Sequence, residues 1–160
     1  MIIYHGGTEI VKEPKIIKAY TGRDFGAGFY TTDIFEQAVK WAKRQALYRK
    51  KCVAVLNIYE LDDSAFQILR VKAFEGYVME WLDFVVSCRH DANFSHDYDL
   101  ITGKIANDDV GETVQAVVDG LTSKEFALSK LAFIPANNQI CLSTDNALKY
   151  LKFISAETVN

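Results

Sequence analysis

RDFGAGFYTTD, residues 23–33, sets a charged pair, two glycines and a short aromatic and β-branched run directly before a helical pattern. Glycine reaches positive φ and lets other groups come close. Gly26 and Gly28 therefore read as a shaped turn that enters a short extended segment, Phe29-Tyr30-Thr31. Such a turn is either plain architecture or the rim of a pocket, and its surroundings decide which.

Upstream, the chain opens with a strand-like Ile2–Tyr4, passes a loop containing Pro14 and reaches a second extended piece near Ile16-Ile17. Downstream, Asp33 and Glu36 have the spacing of a capping box. They predict a helix to about Arg49, with Phe35, Ala38, Val39, Ala42 and Ala46 on one face and Lys40, Lys43 and Arg44 elsewhere. CVAVLNIYEL and AFQILRV are apolar runs rich in strand formers, and the pair is expected to form neighbouring strands around Asp62-Asp63-Ser64. Phe74, Tyr77, Val78, Trp81, Leu82, Val85 and Cys88 recur at helical spacing. YDLITGKI predicts a strand, followed by two short helices at about 109–119 and 123–131, the second with a Thr122/Glu125 capping box. NQICLS is the last clear strand before a short helix capped near Thr144, and KFIS adds an edge strand. Strands at both ends, helices between them and no regular βαβ alternation favour an α+β fold.

The chain has 160 residues, of which 49% are apolar and 24% charged, with two prolines and no repeat, which fits one compact soluble domain over 1–160. A formal charge of −3 gives no general basic footprint, although Lys40, Lys43, Arg44, Arg49, Lys50 and Lys51 form a local basic run. Such a run is ordinarily the solvated face of a helix. Cys52, Cys88 and Cys141 are odd in number and sit in apolar surroundings, so neither a disulfide framework nor a zinc site is indicated, and a reducing cytoplasm is expected. No signal peptide or membrane-spanning run is expected. His90, Asp91, His96, Asp97 and Asp99 carry metal-ligating chemistry, but their spacing matches no recognised motif, and no metal is expected.

Three segments, YHGG at 4–7, GFYTTD at 28–33 and NNQI at 137–140, together resemble the signature segments of the ADP-ribosyltransferase superfamily, in its diphtheria-toxin and poly(ADP-ribose) polymerase branch. From RDFGAGFYTTD through EWLDFVVSCR and DYDLITGKIANDD to NNQICLST, the chain also looks like a family of short, largely uncharacterised bacterial proteins placed in that superfamily. The resemblance implies a split β-sheet core with inserted helices, and NAD as co-substrate. It implies that His5, Tyr30 and Gln139 surround the nicotinamide end, His5 bonding the ribose and Tyr30 offering an aromatic face to the cationic ring. Gly6 and Gly7 follow His5, and the Gly6 backbone is expected to reach the carboxamide. Arg23 suits the pyrophosphate, Asp24, Phe25, Gly28 and Thr31 frame the turn, and Gln37 is a weaker match for a polar group facing the carboxamide.

Position 139 departs from the superfamily's glutamate. An amide can hold a ribose hydroxyl but cannot accept a proton, so either the acceptor is already a good nucleophile, or another carboxylate serves, Asp24 being the nearest in sequence to the glycine turn, or NAD is bound without turnover. Gln139→Glu is therefore expected to raise turnover if the protein is a weakened enzyme on an intact site. Two readings stay open: an NAD-dependent ADP-ribosyltransferase acting on a macromolecule, protein or nucleic acid, in the compact form of a toxin paired with a neutralising antitoxin, or an NAD- or ADP-ribose-binding module without turnover. Each residue also has a structural reading: His5 ending a strand, Tyr30 in a core, Arg23-Asp24 as an ion pair, Gln139 at a sheet edge.

Overall fold

The computed structural model describes residues 1–18, 22–50, 53–106, 108–132 and 137–159. It is an α+β structure with two sheets. The first is antiparallel, in the order β1 (Ile2–Gly7), β3 (Ala54–Leu61) and β7 (Leu151–Val159). The second runs β2 (Phe29–Thr31), β6 (Gln139–Leu142), β5 (Leu100–Gly103) and β4 (Val71–Ala73), antiparallel except for the parallel β4–β5 pair. The sheets meet where Tyr4 and Thr32 exchange backbone hydrogen bonds of 2.7 and 2.9 Å.

Helix α1 (Phe35–Tyr48) lies on β1 through Ala38, Ala42 and Ala46, a ridge of small residues at fourfold spacing. Gly6 makes this contact feasible, because a Cβ there would stand 2.2 Å from the Ala38 carbonyl oxygen and 2.8 Å from the Ala42 nitrogen. On the second sheet, α3 (Met79–His90), α4 (Asp108–Val118) and α5 (Lys124–Leu131) pack around Trp81, Leu82, Val85, Val114 and Leu131. A second cluster, with Ile3, Phe29, Tyr59, Leu61 and Leu142, joins the two sheets.

Several sequence expectations are corrected. AFQILRV is not a strand beside β3: Ala65–Ile68 forms a helical turn, α2, and β4 pairs with β5 instead. Only Ala65 and Leu69, four apart, are buried while Ile68 is 65% exposed, so helical spacing prevails over strand propensity. Asp33 does not cap α1, which starts after Ile34; its carboxylate accepts from Asn138 Nδ2 at 3.0 Å. Ser123 rather than Thr122 caps α5, accepting from the Phe126 N–H at 3.2 Å. Helix α3 begins at Met79, after Gly76 at φ 94°, yet Phe74 and Tyr77 still reach its core. KFIS belongs to a nine-residue β7 paired along β3, and Thr144 caps α6 (Asp145–Leu148) as expected. Cys52 and Lys51 lie outside the described residues.

Candidate active site

Beyond the Tyr4–Thr32 junction a cleft of about 700 Å³ opens, walled by β1, the Arg23-Asp24 loop, β2, one face of α1 and the start of β6. His5, Gly6, Gly7, Arg23, Asp24, Tyr30, Thr31, Gln37 and Gln139 all line it. The two others do not. Phe25 is fully buried, its ring stacked on Phe74, and Gly28 packs against β6, where a Cβ would stand 2.3 Å from Cys141 Sγ.

The glycine turn is closed by Tyr30. Its hydroxyl donates to the Gly26 carbonyl at 2.7 Å and accepts from the Phe25 N–H at 3.1 Å, and Gly26 takes φ 73° to allow the bend. The turn is thus both architecture and pocket rim, since the Tyr30 ring faces Arg23, whose guanidinium carbon lies 5.4 Å from the ring centroid. Burial holds the phenol protonated, far above its ordinary range.

His5 Nδ1 lies 2.8 Å from the Tyr30 carbonyl, and the ring stacks on Phe29 at 4.6 Å. A carbonyl only accepts, so Nδ1 carries the proton and Nε2 presents a lone pair. Burial pushes the imidazole pKa below 6.5, opposed by the Tyr30 bond and assisted by the charges of Arg23 and Arg49. At neutral pH His5 is an acceptor, suited to a hydroxyl.

Asp24 and Gln139 form the floor. The Asp24 carboxylate is buried and takes four donors: Arg89 Nε at 2.9 Å and Nη2 at 2.6 Å on one oxygen, the Ala106 N–H at 2.8 Å and Gln139 Nε2 at 2.9 Å on the other. Arg23 and Asp24 are therefore not partners of each other. Gln139 Nε2 also donates to the Lys104 carbonyl at 3.0 Å, so both amide hydrogens face acceptors and the side-chain carbonyl is its remaining polar atom. Position 139 needs two donors, which a carboxylate cannot supply. Gln37 is likewise engaged, its amide bracketing Asn138 at 2.6 and 3.1 Å, rather than open to a carboxamide.

The sequence gives no sign of Arg89, whose partner is 65 positions away, and its basic run, expected to be a solvated face, brings Lys40 and Arg44 into the cleft lining beside Trp41 and Gln45 on α1. Only the helical spacing of the last four could have marked them as one face. Cys88 and Cys141 are raised by burial to about 12 and about 11, so neither offers a thiolate at neutral pH. In the His/Asp-rich loop, Asp97 and Asp99 pair with Arg70 while His96 Nε2 meets the Phe25 carbonyl at 3.1 Å. No group of three metal-ligating side chains and no helix long and apolar enough to cross a membrane occurs among the described residues.

No curated protein and no solved structure matches this sequence. Residues 1–153 match the family described as Protein of unknown function (DUF3990), and the chain belongs to that family.

Proposed function

We propose that this protein is an NAD-dependent ADP-ribosyltransferase acting on a macromolecular acceptor. The observation that carries the reading is the convergence of His5, Tyr30 and Gln139, from both ends of the chain, on one cleft where two sheets diverge. The volume of about 700 Å³ lies in the range of small-molecule sites. Its chemistry suits the nicotinamide, its ribose and the pyrophosphate of NAD. His5 Nε2 is an acceptor for a ribose hydroxyl, and Arg23, which covers the Tyr30 ring at 5.4 Å, would turn to the pyrophosphate as the pyridinium takes its place on that ring.

Cleavage of the nicotinamide–ribose bond builds positive charge on the sugar. In this site Gln139 serves as a positioned amide, not a base, and the lone pairs of Asp24 are taken by four donors. The acceptor must then attack without strong base assistance, as a group with an accessible lone pair does. Those same commitments favour a second reading, an NAD-binding module without turnover. Incubating the purified protein with NAD, with and without cell lysate, and measuring released nicotinamide decides between them. Release that is lost in His5→Ala supports the enzyme; NAD binding with no release under either condition leaves the binding module.

A further inference from the structure

The cleft is far more basic than the chain that contains it. Its lining carries Arg23, Lys40, Arg44, Arg49 and Arg89 against the carboxylates of Glu9 and Asp24, in a protein of net charge −3. Arg89 is matched by Asp24, and Arg23, Lys40 and Arg49 still outnumber Glu9. Arg23, Lys40 and Arg49 enter no ion pair among the described residues. From Lys40 to Arg49 this wall runs about 14 Å at 1.5 Å per residue. Its reach exceeds what the pyrophosphate of one dinucleotide needs.

An aromatic side chain interrupts the cations. Trp41 lines the cleft at 44% exposure, with the Arg44 guanidinium carbon 6.0 Å from its ring centroid, whereas Trp81 is fully buried. Exposed tryptophan among spaced cations is the composition of a single-strand platform, in which bases stack and phosphates meet Lys and Arg. A docking face for acidic protein would need the cations but not the ring.

We propose that the α1 wall of the cleft docks single-stranded nucleic acid, which is the acceptor of the transfer reaction. The inference rests on the ADP-ribosyltransferase reading and supplies its missing substrate class. In the transfer, the bond from ribose C1′ to the nicotinamide nitrogen breaks and its electron pair leaves on neutral nicotinamide. A lone pair on a base nitrogen or sugar oxygen forms the new bond to C1′, and the acceptor's proton passes to water. A base nitrogen attacks through its lone pair before it loses a proton, which fits a floor where Gln139 replaces a carboxylate.

The test titrates 12-nucleotide RNA and DNA strands into the protein without NAD, following tryptophan fluorescence. Quenching is expected and should vanish in Trp41→Phe, because Trp81 is out of reach. Trp41→Ala should weaken binding roughly 5- to 150-fold, the cost of one stacked base. Lys40→Ala with Arg49→Ala should flatten the plot of log affinity against log salt by about 1.4, at about 0.7 per phosphate contact. Labelled NAD should then transfer its label to the strand that binds. NAD is titrated separately by calorimetry. NAD binding with no quenching by either strand overturns this inference and leaves the NAD reading standing, as does equally tight binding of polyglutamate that ignores Trp41. Strand binding without NAD binding upholds the surface but sinks its role as an acceptor site.

Discussion

Gln139→Glu would supply the glutamate that the resemblance to ADP-ribosyltransferases leads one to expect at this position, and the geometry opposes it. A carboxylate at 139 would stand about 2.9 Å from the Asp24 oxygen and 3.0 Å from the Lys104 carbonyl, where the amide now donates to both. At an effective dielectric of about 20, two charges at that distance repel by about 6 kcal/mol. Taking up a proton at pH 7 costs a glutamate of ordinary pKa about 4 kcal/mol, so the introduced side chain would protonate rather than remain charged. The neutral acid has one donor for two acceptors, which adds about 1 kcal/mol. The expected loss is about 3–5 kcal/mol at pH 7, the lower end allowing for relaxation of the loop. The folded pKa of the introduced carboxyl would be raised above its unfolded value of about 4.3, so the lost stability returns as pH falls, and at pH 5 the deficit should shrink to about 2 kcal/mol. Urea unfolding of wild type and variant at both pH values measures this. A variant as stable as wild type at pH 7 would show that position 139 tolerates a carboxylate beside Asp24 and that the two donors of Gln139 are dispensable.

Gly6→Ala pushes a methyl into the Ala38 carbonyl, and thermal unfolding should show a loss at or above the top of the roughly 1–3 kcal/mol usual for overpacking. Arg89→Met strands the Asp24 carboxylate in the floor and should cost about 3–5 kcal/mol in the same assay, with little change if Asp24 is not held by that pair. Tyr30→Ala should weaken NAD binding by about 1–2 kcal/mol in calorimetry, while unchanged affinity would assign the ring to packing alone. For His5 the folded pKa lies below 6.5, so below that pH the unfolded chain binds a proton that the folded one resists. Stability should therefore decline as pH falls from 6.5, and a titration of the His5 ring resonances should give a midpoint under 6.5.

The parts of the fold carried by local spacing are legible in the sequence. The Ala38, Ala42 and Ala46 face of α1, the Trp81, Leu82, Val85 and Cys88 face of α3, the strand around Gln139 and the Thr144 cap depend on residues a few positions apart, and the structure has them, whereas Phe35 and Val78, expected on those faces, are exposed. AFQILRV misleads because its apolar content fits two periods, and only burial of Ala65 and Leu69 selects the helical one. At the cleft, His5, Tyr30 and Gln139 can be named only because the segments that hold them resemble the signature segments of the ADP-ribosyltransferases. Their supports cannot. Nothing near Asp24 in sequence points to Arg89 or Ala106, and nothing near Gln139 says that both amide hydrogens are required. Gly6 shows the converse: a residue expected to serve the carboxamide is explained by the approach of α1.

The proposed function puts the nicotinamide end of NAD between His5 and Tyr30, and intermolecular nuclear Overhauser effects between NAD and the protein would reveal that placement. The expected result is cross-peaks from nicotinamide ring protons to the Tyr30 and His5 rings, lost in Tyr30→Ala, with adenine protons meeting neither. Cross-peaks to residues outside the cleft, or no saturable NAD binding at millimolar concentration, would contradict it.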